Sequence, residues 1–542
     1  MSTPWFVDAV FYEVPVYAFF DSDGDGVGDF AGLTEKLDYL EWLGVTCIWL
    51  LPFYESPLRD GGYDVSDFRS VLPQYGTIDD VQEFLDEAHG RGLRVIADMI
   101  VNHTSDQHPW FQEARSPGSA FRNRYVWSDN PDRYPDARVI FTDTHDSNWT
   151  WDPVAKAYYW HRFFDHQPDL NFDDPAVQDE VEDVIRFWLT LGFDGLRLDA
   201  VPYLYERNGT DGENLPETHA YLKRLRSMVD NEFDDRMLLA EANQWPEDIV
   251  EYFGDGDEFH MAYHFPLMPR LFLALARGNG DIVADILDRT PEIPDGCRWG
   301  MFLRNHDELT LEMVSEDERE QMWRHYAPEP SMRKNVGIRR RLAPLLGGDR
   351  RKIELLNALL LSLPGSPFLY YGDEIAMGDE HRLDDRDGVR TPMQWDSSPS
   401  AGFSNADPAD LYLPIVSSTE YSPAAVNVTD QRNDPDSLLL WMRGILALRS
   451  DSPVLSEGAF EILRSFDPAI LSFERTDRET TLLVVANFSD ATIDTTFETA
   501  ATPTTILAGA PGSSLDGTSV TLGPYGWAWL DGSPHEDEIK GQ

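Results

Sequence analysis

Four short segments of the chain combine acidic residues with amide, imidazole or guanidinium partners, and each includes or follows an apolar run typical of a buried strand. They are Asp98–His103, Gly195–Asp199, Leu238–Asn243 and Phe302–Asp307. Breaking a glycosidic bond with retention requires two carboxylates about 5–5.5 Å apart, one to attack carbon and one to donate and then remove a proton. Each segment alone could be a turn or a helix cap. Four of them in one chain favour glycosidic-bond chemistry.

Two of these carboxylates are candidates for the reacting groups. Asp199 ends an apolar run, and Arg197 shares its face because strand side chains alternate. An adjacent guanidinium keeps a carboxylate ionised, as a nucleophile requires. Glu241 follows the apolar residues 237–240, where partial burial would raise its pKa toward that of a general acid. The plainer interpretations are loop capping for Asp199 and helix capping for Glu241.

Two histidines and a third acid fit contacts to a sugar. His306 and Asp307 could hold sugar hydroxyls and tighten as the ring flattens toward an oxocarbenium ion, or they could form a simple turn. His103 is either a satisfied core histidine or a ligand of a sugar hydroxyl.

An acidic loop near the start of the chain has the spacing of a calcium site. Oxygen ligands recur at alternate positions with Gly26 at the turn, and the candidates are Asp21, Asp23, Asp25, the Val27 carbonyl and Asp29. The bidentate glutamate of a full EF-hand is missing, because Gly32 stands there. The alternatives are a calcium or magnesium site and an ordinary acidic turn.

The elements that must hold these residues alternate between strand and helix patterns through the first 450 residues. Helix Val81–Arg91 precedes strand Leu93–Val101, and helix Val177–Leu191 precedes strand Asp194–Leu198. Such alternation implies parallel strands covered by helices, and the number of units predicts a closed (β/α)8 TIM barrel of the α/β class. The acids would then lie at the C-terminal strand ends, where such barrels carry their active sites.

Two stretches break this rhythm. Residues 104–167 are rich in Trp, Tyr, Asp, Asn and Pro without a helical period, which predicts a small domain inserted after the third strand and bordering the site. Beyond 450, alternating strands and turns predict an antiparallel β-sandwich. The predicted domains are therefore 1–103 with 168–450, then 104–167, then 451–542.

The composition limits the class of partner. Among 542 residues, 96 are acidic and 44 basic, which gives a net charge of −52, and only six of the basic residues are Lys. This charge opposes binding to nucleic acid or anionic membranes and indicates adaptation to a high-salt cytoplasm; an ordinary acidic enzyme is the alternative. Two distant cysteines, Cys47 and Cys297, indicate a reducing compartment. No secretory leader or membrane span is predicted, and homo-oligomerisation stays open.

The four acidic segments, with Gly62–Asp64, Gln167–Asn171 and Arg390–Trp395, resemble glycoside hydrolase family 13, the α-amylase superfamily. Longer stretches of the sequence are similar to the corresponding stretches of those family members that isomerise maltose to trehalose. They are Pro52–Asp64, Leu238–Pro246, His264–Pro269 and Phe302–Met313.

The resemblance implies roles for individual residues. Asp199 would be the nucleophile, Glu241 the acid/base and Asp307 the transition-state stabiliser. Contacts to the glucosyl unit in the first subsite would come from Asp64, His103, Gln167, Arg197, His306 and Arg390. The second glucose would be held by Asn243, Glu308 and Glu312. A second calcium site would use Asn102, Asp169, Glu206 and the carbonyls of Tyr203 and Leu204.

The activity implied by the resemblance is a reversible isomerisation of maltose to trehalose, with glucose as a trapped intermediate and minor hydrolysis. Ca²⁺ at one or two structural sites is the only cofactor expected, with Mg²⁺ as an alternative at the first. The nearest rival is an α-glucosidase that only hydrolyses, since it would use the same acids. A catalytically inactive family member is a further rival, but such members lose the acids, whereas this chain keeps all three.

Overall fold

The computed structural model describes residues 3–496 and 501–534. Eight parallel strands close into a barrel in which each strand pairs with its neighbour in the sequence and the first pairs with the last. The strands are β1 Phe11–Val14, β2 Cys47–Leu50, β3 Arg94–Ile100, β4 Gly195–Asp199, β5 Met237–Ala240, β6 Met261–Tyr263, β7 Arg298–Phe302 and β8 Ser366–Tyr370. The predicted TIM barrel is confirmed.

The barrel strands are short and buried almost throughout. Strands covered on both faces appear in the sequence as continuous apolar runs. Such runs predict seven of the eight strands, at 8–13, 45–51, 93–101, 194–198, 236–240, 299–303 and 367–371. The sequence pattern missed β6, because it has only three residues and stands between His260 and His264.

Helices cover the outside of the barrel. They are Phe30–Glu35, Leu37–Leu43, Ile78–Gly90, Pro175–Leu191, Pro216–Glu232, Pro246–Ile249, Leu267–Arg277, Asp281–Asp288, Glu316–Tyr326, Arg350–Leu360 and Leu438–Ser450. Local sequence fixes several starts: Thr77 and Asp80 form a capping box, and Asp174 caps a helix that has Pro175 in its first turn.

Between β3 and β4 the chain leaves the barrel. It forms the short helix Pro109–Ala114 and a three-stranded antiparallel sheet of Trp127–Ser128, Trp149–Asp152 and Ala157–Trp160. An aromatic cluster that includes Tyr134, Trp149 and Trp160 forms a small core of its own. The sequence showed no helical period here because aromatic residues spaced along short strands supply the packing.

After the barrel, two antiparallel sheets enclose a separate apolar core that includes Ile470, Val485 and Leu530. Their strands are β9 Ala459–Leu463, β10 Ile470–Thr476, β11 Thr481–Asn487, β12 Ile493–Thr496, β13 Ala501–Gly509, β14 Ser514–Asp516, β15 Ser519–Leu522 and β16 Trp527–Pro534. The predicted domain 451–542 extends outside the described residues at 497–500 and 535–542. In the part of the chain that the structure describes, no helix is both long and apolar enough to cross a bilayer.

Candidate active site

A cavity of about 140 Å³ opens at the C-terminal ends of the barrel strands. Its walls combine carboxylates with aromatic rings. They include Asp60, Tyr63, His103, Phe141, Phe163, Gln167, Asp199, Tyr203, Glu241, Asn243, Phe265, Asp307, Glu308, Glu312 and Arg386. Aromatic faces suit the C–H surfaces of a sugar ring, whereas the acids and amides suit its hydroxyls.

One guanidinium organises the acids at the base of this cavity. Arg197 projects from β4 and is only 1% exposed. Its Nη1 donates to Asp98 and Asp199 at 2.6 Å each, and its Nη2 lies 2.8 Å from Glu241. Asp199 and Glu241 are therefore held on adjacent nitrogens of a single group, which keeps them close together as a retaining pair requires.

The two candidate reacting acids differ in pKa. Burial, together with the negative charges of Asp199 and Asp307, raises the pKa of Glu241 to about 8 against the opposing effect of Arg197. Burial raises the pKa of Asp199 to about 6, with Arg197 opposing that shift. Near neutral pH the pair therefore holds one protonated and one ionised group, which are the acid and the nucleophile of a double displacement.

Ala200 directs a further donor at Glu241. Its φ of 55° lies in the left-handed region, uncommon for a residue with a Cβ. In this conformation its N–H donates to Glu241 Oε2 at 3.0 Å. Strain of this kind collects at functional sites, where the surrounding structure can enforce it.

Asp307 is surrounded by two guanidinium groups and an imidazole. Its carboxylate lies 2.8 Å from Arg386 Nη1, 3.1 Å from Arg390 Nη2 and 3.3 Å from His306 Nε2. Burial alone would raise its pKa, but His306 and the two arginines outweigh that effect and lower it. Asp307 therefore stays ionised on the cavity wall, ready to face a developing positive charge.

A buried chain of polar groups connects Asp307 to Asp98. Glu13 of β1 accepts from the His306 backbone N–H at 3.1 Å and lies 2.5 Å from its Nδ1. His306 Nε2 lies 2.6 Å from the Tyr63 hydroxyl, which donates to Asp98 at 2.8 Å. This series of buried polar groups fixes the imidazole ring of His306 beside Asp307.

The predicted sugar contacts divide into two layers. His103, Gln167, Asn243, Glu308 and Glu312 line the cavity. In contrast, Arg197, His306 and Arg390 lie behind the wall and hold the carboxylates that do line it.

The structure contradicts the sequence-based assignment of Asp64 as a contact to the sugar. It is fully buried and accepts from Ser56 Oγ at 2.9 Å and from the backbone N–H groups of Arg59 and Asp60 at 3.2 Å each, so it supports the loop and does not line the cavity. The carboxylate on the wall is Asp60, which accepts from Gln167 Nε2 at 2.9 Å and pairs with Arg386 at 2.5 Å.

The sequence assigned no individual role to Glu13, Tyr63, Asp98 or Arg386, although Asp98 begins one of the four acidic segments. The only signal for Asp60 was its position in the same family phrase as Asp64. Arg386 stands in the acidic run Asp384–Asp387, four residues before a predicted arginine.

One arginine of the inserted segment reaches across the mouth of the cavity. Arg138 donates to Glu312 at 2.9 Å, to Glu213 at 2.7 Å and to the Tyr203 hydroxyl at 3.2 Å. Asn243 Nδ2 also donates to Glu312, at 3.2 Å. Glu312 thus joins the inserted segment to the barrel loops.

The acidic loop suits a cation in part. Asp21, Asp23 and Asp29 each offer a carboxylate oxygen, and all three oxygens lie within 4.8 Å of one another, as ligands of one Ca²⁺ would. Asp25 is outside this group, and its Oδ1 accepts from the Val27 N–H at 2.9 Å. The residues present fit a hard cation on three acids; the Val27 carbonyl remains a prediction.

The second predicted metal group has a different signature. Asn102 Oδ1, Asp169 Oδ2 and Glu206 Oε1 are buried and have no hydrogen-bond partner among the described residues. Burial raises the pKa of Asp169 to about 8 and that of Glu206 well above its usual range. Buried acceptors without donors are costly, and a cation held with the Tyr203 and Leu204 carbonyls would satisfy them.

The barrel and the acids on one arginine define an enzyme that acts on glycosidic bonds. The chain belongs to the α-amylase family: the α-amylase catalytic-domain model matches residues 15–327 and 339–458, and the maltogenic amylase C-terminal-domain model matches residues 460–529.

Similar proteins of high identity carry the name trehalose synthase. The trehalose synthase/amylase of Mycolicibacterium smegmatis is 61% identical over 87% of this chain and 81% of its own length. The trehalose synthase of Pimelobacter is 58% identical over 87% of this chain and 84% of its own length. Among solved structures, an α-glucosyl transfer enzyme matches with a TM-score of 0.82 and 29% identity, covering 98% of this chain and all of that one.

Proposed function

We propose that the enzyme isomerises maltose to trehalose by intramolecular glucosyl transfer, with minor hydrolysis to glucose. The observation that best supports this proposal is that two groups of polar residues line one small cavity. Asp199, Glu241 and Asp307 line this cavity together with Asn243, Glu308 and Glu312. The names of the high-identity relatives support the same reaction.

In the first step, maltose binds with its non-reducing glucose beside Asp199. Glu241 gives its proton to the bridging oxygen while Asp199 attacks C1 from the opposite face. The C1–oxygen bond breaks, glucose is released within the cavity, and a β-glucosyl ester forms on Asp199. Arg197 keeps Asp199 anionic, because its Nη1 lies 2.6 Å from the carboxylate.

In the second step, the released glucose turns and presents its own anomeric hydroxyl. Glu241, now ionised, takes the proton of that hydroxyl as its oxygen attacks C1 and Asp199 leaves. Two inversions restore the α configuration and give the 1,1 linkage. The acetal is exchanged for another acetal, so the reaction needs no nucleotide and is reversible.

Asp307 is proposed to stabilise the positive charge that develops on the glucosyl ring in both steps. His103, Gln167 and Asp60 are proposed as contacts to that ring, since all three line the cavity. Asn243, Glu308 and Glu312 are proposed to hold the second glucose. Exclusion of water decides the outcome, because water attacking the ester would yield two glucose molecules.

Calcium is proposed at the acidic loop and at the buried Asn102–Asp169–Glu206 group, where it would support the structure around the site. Magnesium is an alternative at the first. A cytoplasmic location at high salt is proposed from the net charge of −52.

The testing experiment is incubation of the purified protein with maltose at several NaCl concentrations, with separation of the products. Trehalose as the main product is expected at the salt optimum. Glucose alone at every salt concentration would instead identify an α-glucosidase.

A further inference from the structure

A hairpin beside the cavity lies in a stretch that the family model does not match. That model ends at residue 327 and resumes at 339. In between, strands Arg333–Lys334 and Gly337–Ile338 pair antiparallel, with Asn335 at the turn in the left-handed region at φ 46°. The family model therefore says nothing about this hairpin, and its role has to be inferred from its contacts.

The hairpin is fixed against the loop that follows β7. Leu309 and Ile338 exchange two backbone hydrogen bonds, at 2.8 and 3.0 Å. A Cβ on Gly337 would lie 2.6 Å from Glu308 Cγ and 2.7 Å from the Leu309 carbonyl oxygen. Only glycine allows this close approach, so the turn is held directly beside Glu308.

Asn335 joins the inserted segment to the cavity residue Glu308. Its backbone N–H donates to Asp143 of the inserted segment at 2.6 Å, and its Nδ2 donates to Glu308 Oε1 at 2.9 Å. The neighbouring Lys334 pairs with Asp385 at 3.0 Å, next to the cavity residue Arg386. One turn therefore links the inserted segment to the loops after β7 and β8.

Three hydrogen-bond acceptors at the hairpin and the neighbouring cavity wall have no donor in the part of the chain that the structure describes. Glu308 Oε2, Asn335 Oδ1 and Asn243 Oδ1 are buried and have no hydrogen-bond partner among the described residues. Two of these three side chains, Glu308 and Asn243, line the cavity. A sugar supplies several O–H donors, so a bound sugar could satisfy such acceptors.

We infer that Asn335 is a positioning residue, which fixes Glu308 with one carboxylate oxygen held and the other free to accept from a hydroxyl of the acceptor glucose. It determines whether the glucosyl group passes to that glucose or to water. This role rests on the proposed function. Without the Asn335 side chain, the hairpin keeps the Lys334–Asp385 pair but loses its hydrogen bond to Glu308, so Glu308 turns more freely, glucose escapes and water enters more often.

The test compares Asn335→Gly, Asn335→Asp and the control Val336→Ala with the unmodified enzyme. Glycine keeps the left-handed turn while deleting the side chain, and aspartate replaces the donor with a charge that repels Glu308. The glucose-to-trehalose ratio from maltose is expected to rise roughly tenfold in both Asn335 variants, as loss of a hydrogen bond to a charged group implies. Val336→Ala should leave the ratio unchanged.

Two further readouts separate this inference from the proposed function. Cleavage of 4-nitrophenyl α-glucoside needs no glucose acceptor and should be preserved, whereas inhibition of that cleavage by added glucose should weaken roughly tenfold. If the unmodified enzyme makes only glucose from maltose, the proposed function fails, and glucose inhibition still tests Asn335. Unchanged glucose inhibition, or a parallel loss of aryl-glucoside cleavage, would overturn the role of Asn335.

Discussion

At the scale of single residues, the sequence was sufficient to find acids that end strands but not those in loops. Asp199 and Glu241 follow apolar strands, so their exit toward one end of the barrel is fixed by the fold. Asp60 and Asp64 stand four residues apart in one loop without a period, and only the folded chain shows which one faces the cavity. Glu13 gave no signal, because its partner His306 is 293 residues away.

The first residue-scale prediction concerns Asp199→Asn. The amide cannot form the glucosyl ester, so both trehalose and glucose formation should fall by roughly 10⁴-fold or more. Product analysis from maltose measures this, with the exposed Asp38→Asn as the control. Trehalose formation by the variant would show that another residue is the nucleophile.

The second residue-scale prediction concerns the pH dependence of turnover. Activity should fall as the pH drops through about 6, where Asp199 gains a proton, and fall again as it rises through about 8, where Glu241 loses one. Because the two acids interact, the profile reports values of the pair. Glu241→Gln should remove the alkaline limb for an aryl glucoside with a good leaving group. An alkaline limb that survives in this variant would assign the acid elsewhere.

At the scale of elements, seven barrel strands could be predicted from their apolar runs, and the segments that close the cavity could not. The inserted segment and the 333–338 hairpin lack a regular period, and their contacts join residues far apart in sequence. Arg138 and Glu312 are 174 positions apart, and Asp143 and Asn335 are 192 apart. Such pairings depend on the complete barrel bringing its loops to one end.

Arg138 carries the first element-scale prediction. Arg138→Ala removes the donors to Glu312, Glu213 and Tyr203, so the inserted segment should open more often and admit water. The fraction of maltose converted to glucose should increase several-fold, while aryl-glucoside cleavage stays within about twofold. The control is Lys156→Gln, an exposed site on the same segment. An unchanged product ratio would show that Arg138 does not control closure of the inserted segment over the cavity.

The second element-scale prediction concerns the acidic loop near the start of the chain. If Asp21, Asp23 and Asp29 hold Ca²⁺, chelation should lower the midpoint of thermal unfolding, and added Ca²⁺ should restore it, because a ligand that binds only the folded state stabilises it. Asp23→Asn leaves the chain contacts of Asp21 and Asp29 in place and should weaken the Ca²⁺ response. An equal response in Asp23→Asn would assign the calcium effect to the buried Asn102–Asp169–Glu206 group.

At the scale of the whole molecule, the charge is carried by the surface and the chemistry is enclosed. The net charge of −52 acts through water and is open to screening. Arg197, at 1% exposure, is buried together with Asp98 and Asp199, and it holds Glu241, whose side chain is 20% exposed, inside the cavity. Stability and acid–base chemistry should therefore respond differently to salt.

The last prediction follows from that difference. The Debye length falls from about 10 Å at 0.1 M salt to about 3 Å at 1 M, so repulsion among surface carboxylates should weaken and the thermal midpoint should rise with NaCl, steeply at first and then level off. Sodium sulfate at matched ionic strength is the control: screening gives the same rise, whereas exclusion from the surface gives sulfate the larger one. The two limbs of the pH profile should stay within about half a pH unit across this range, because Arg197 fixes the acids from inside. A midpoint that is flat or falling in NaCl would remove the argument for adaptation to high salt.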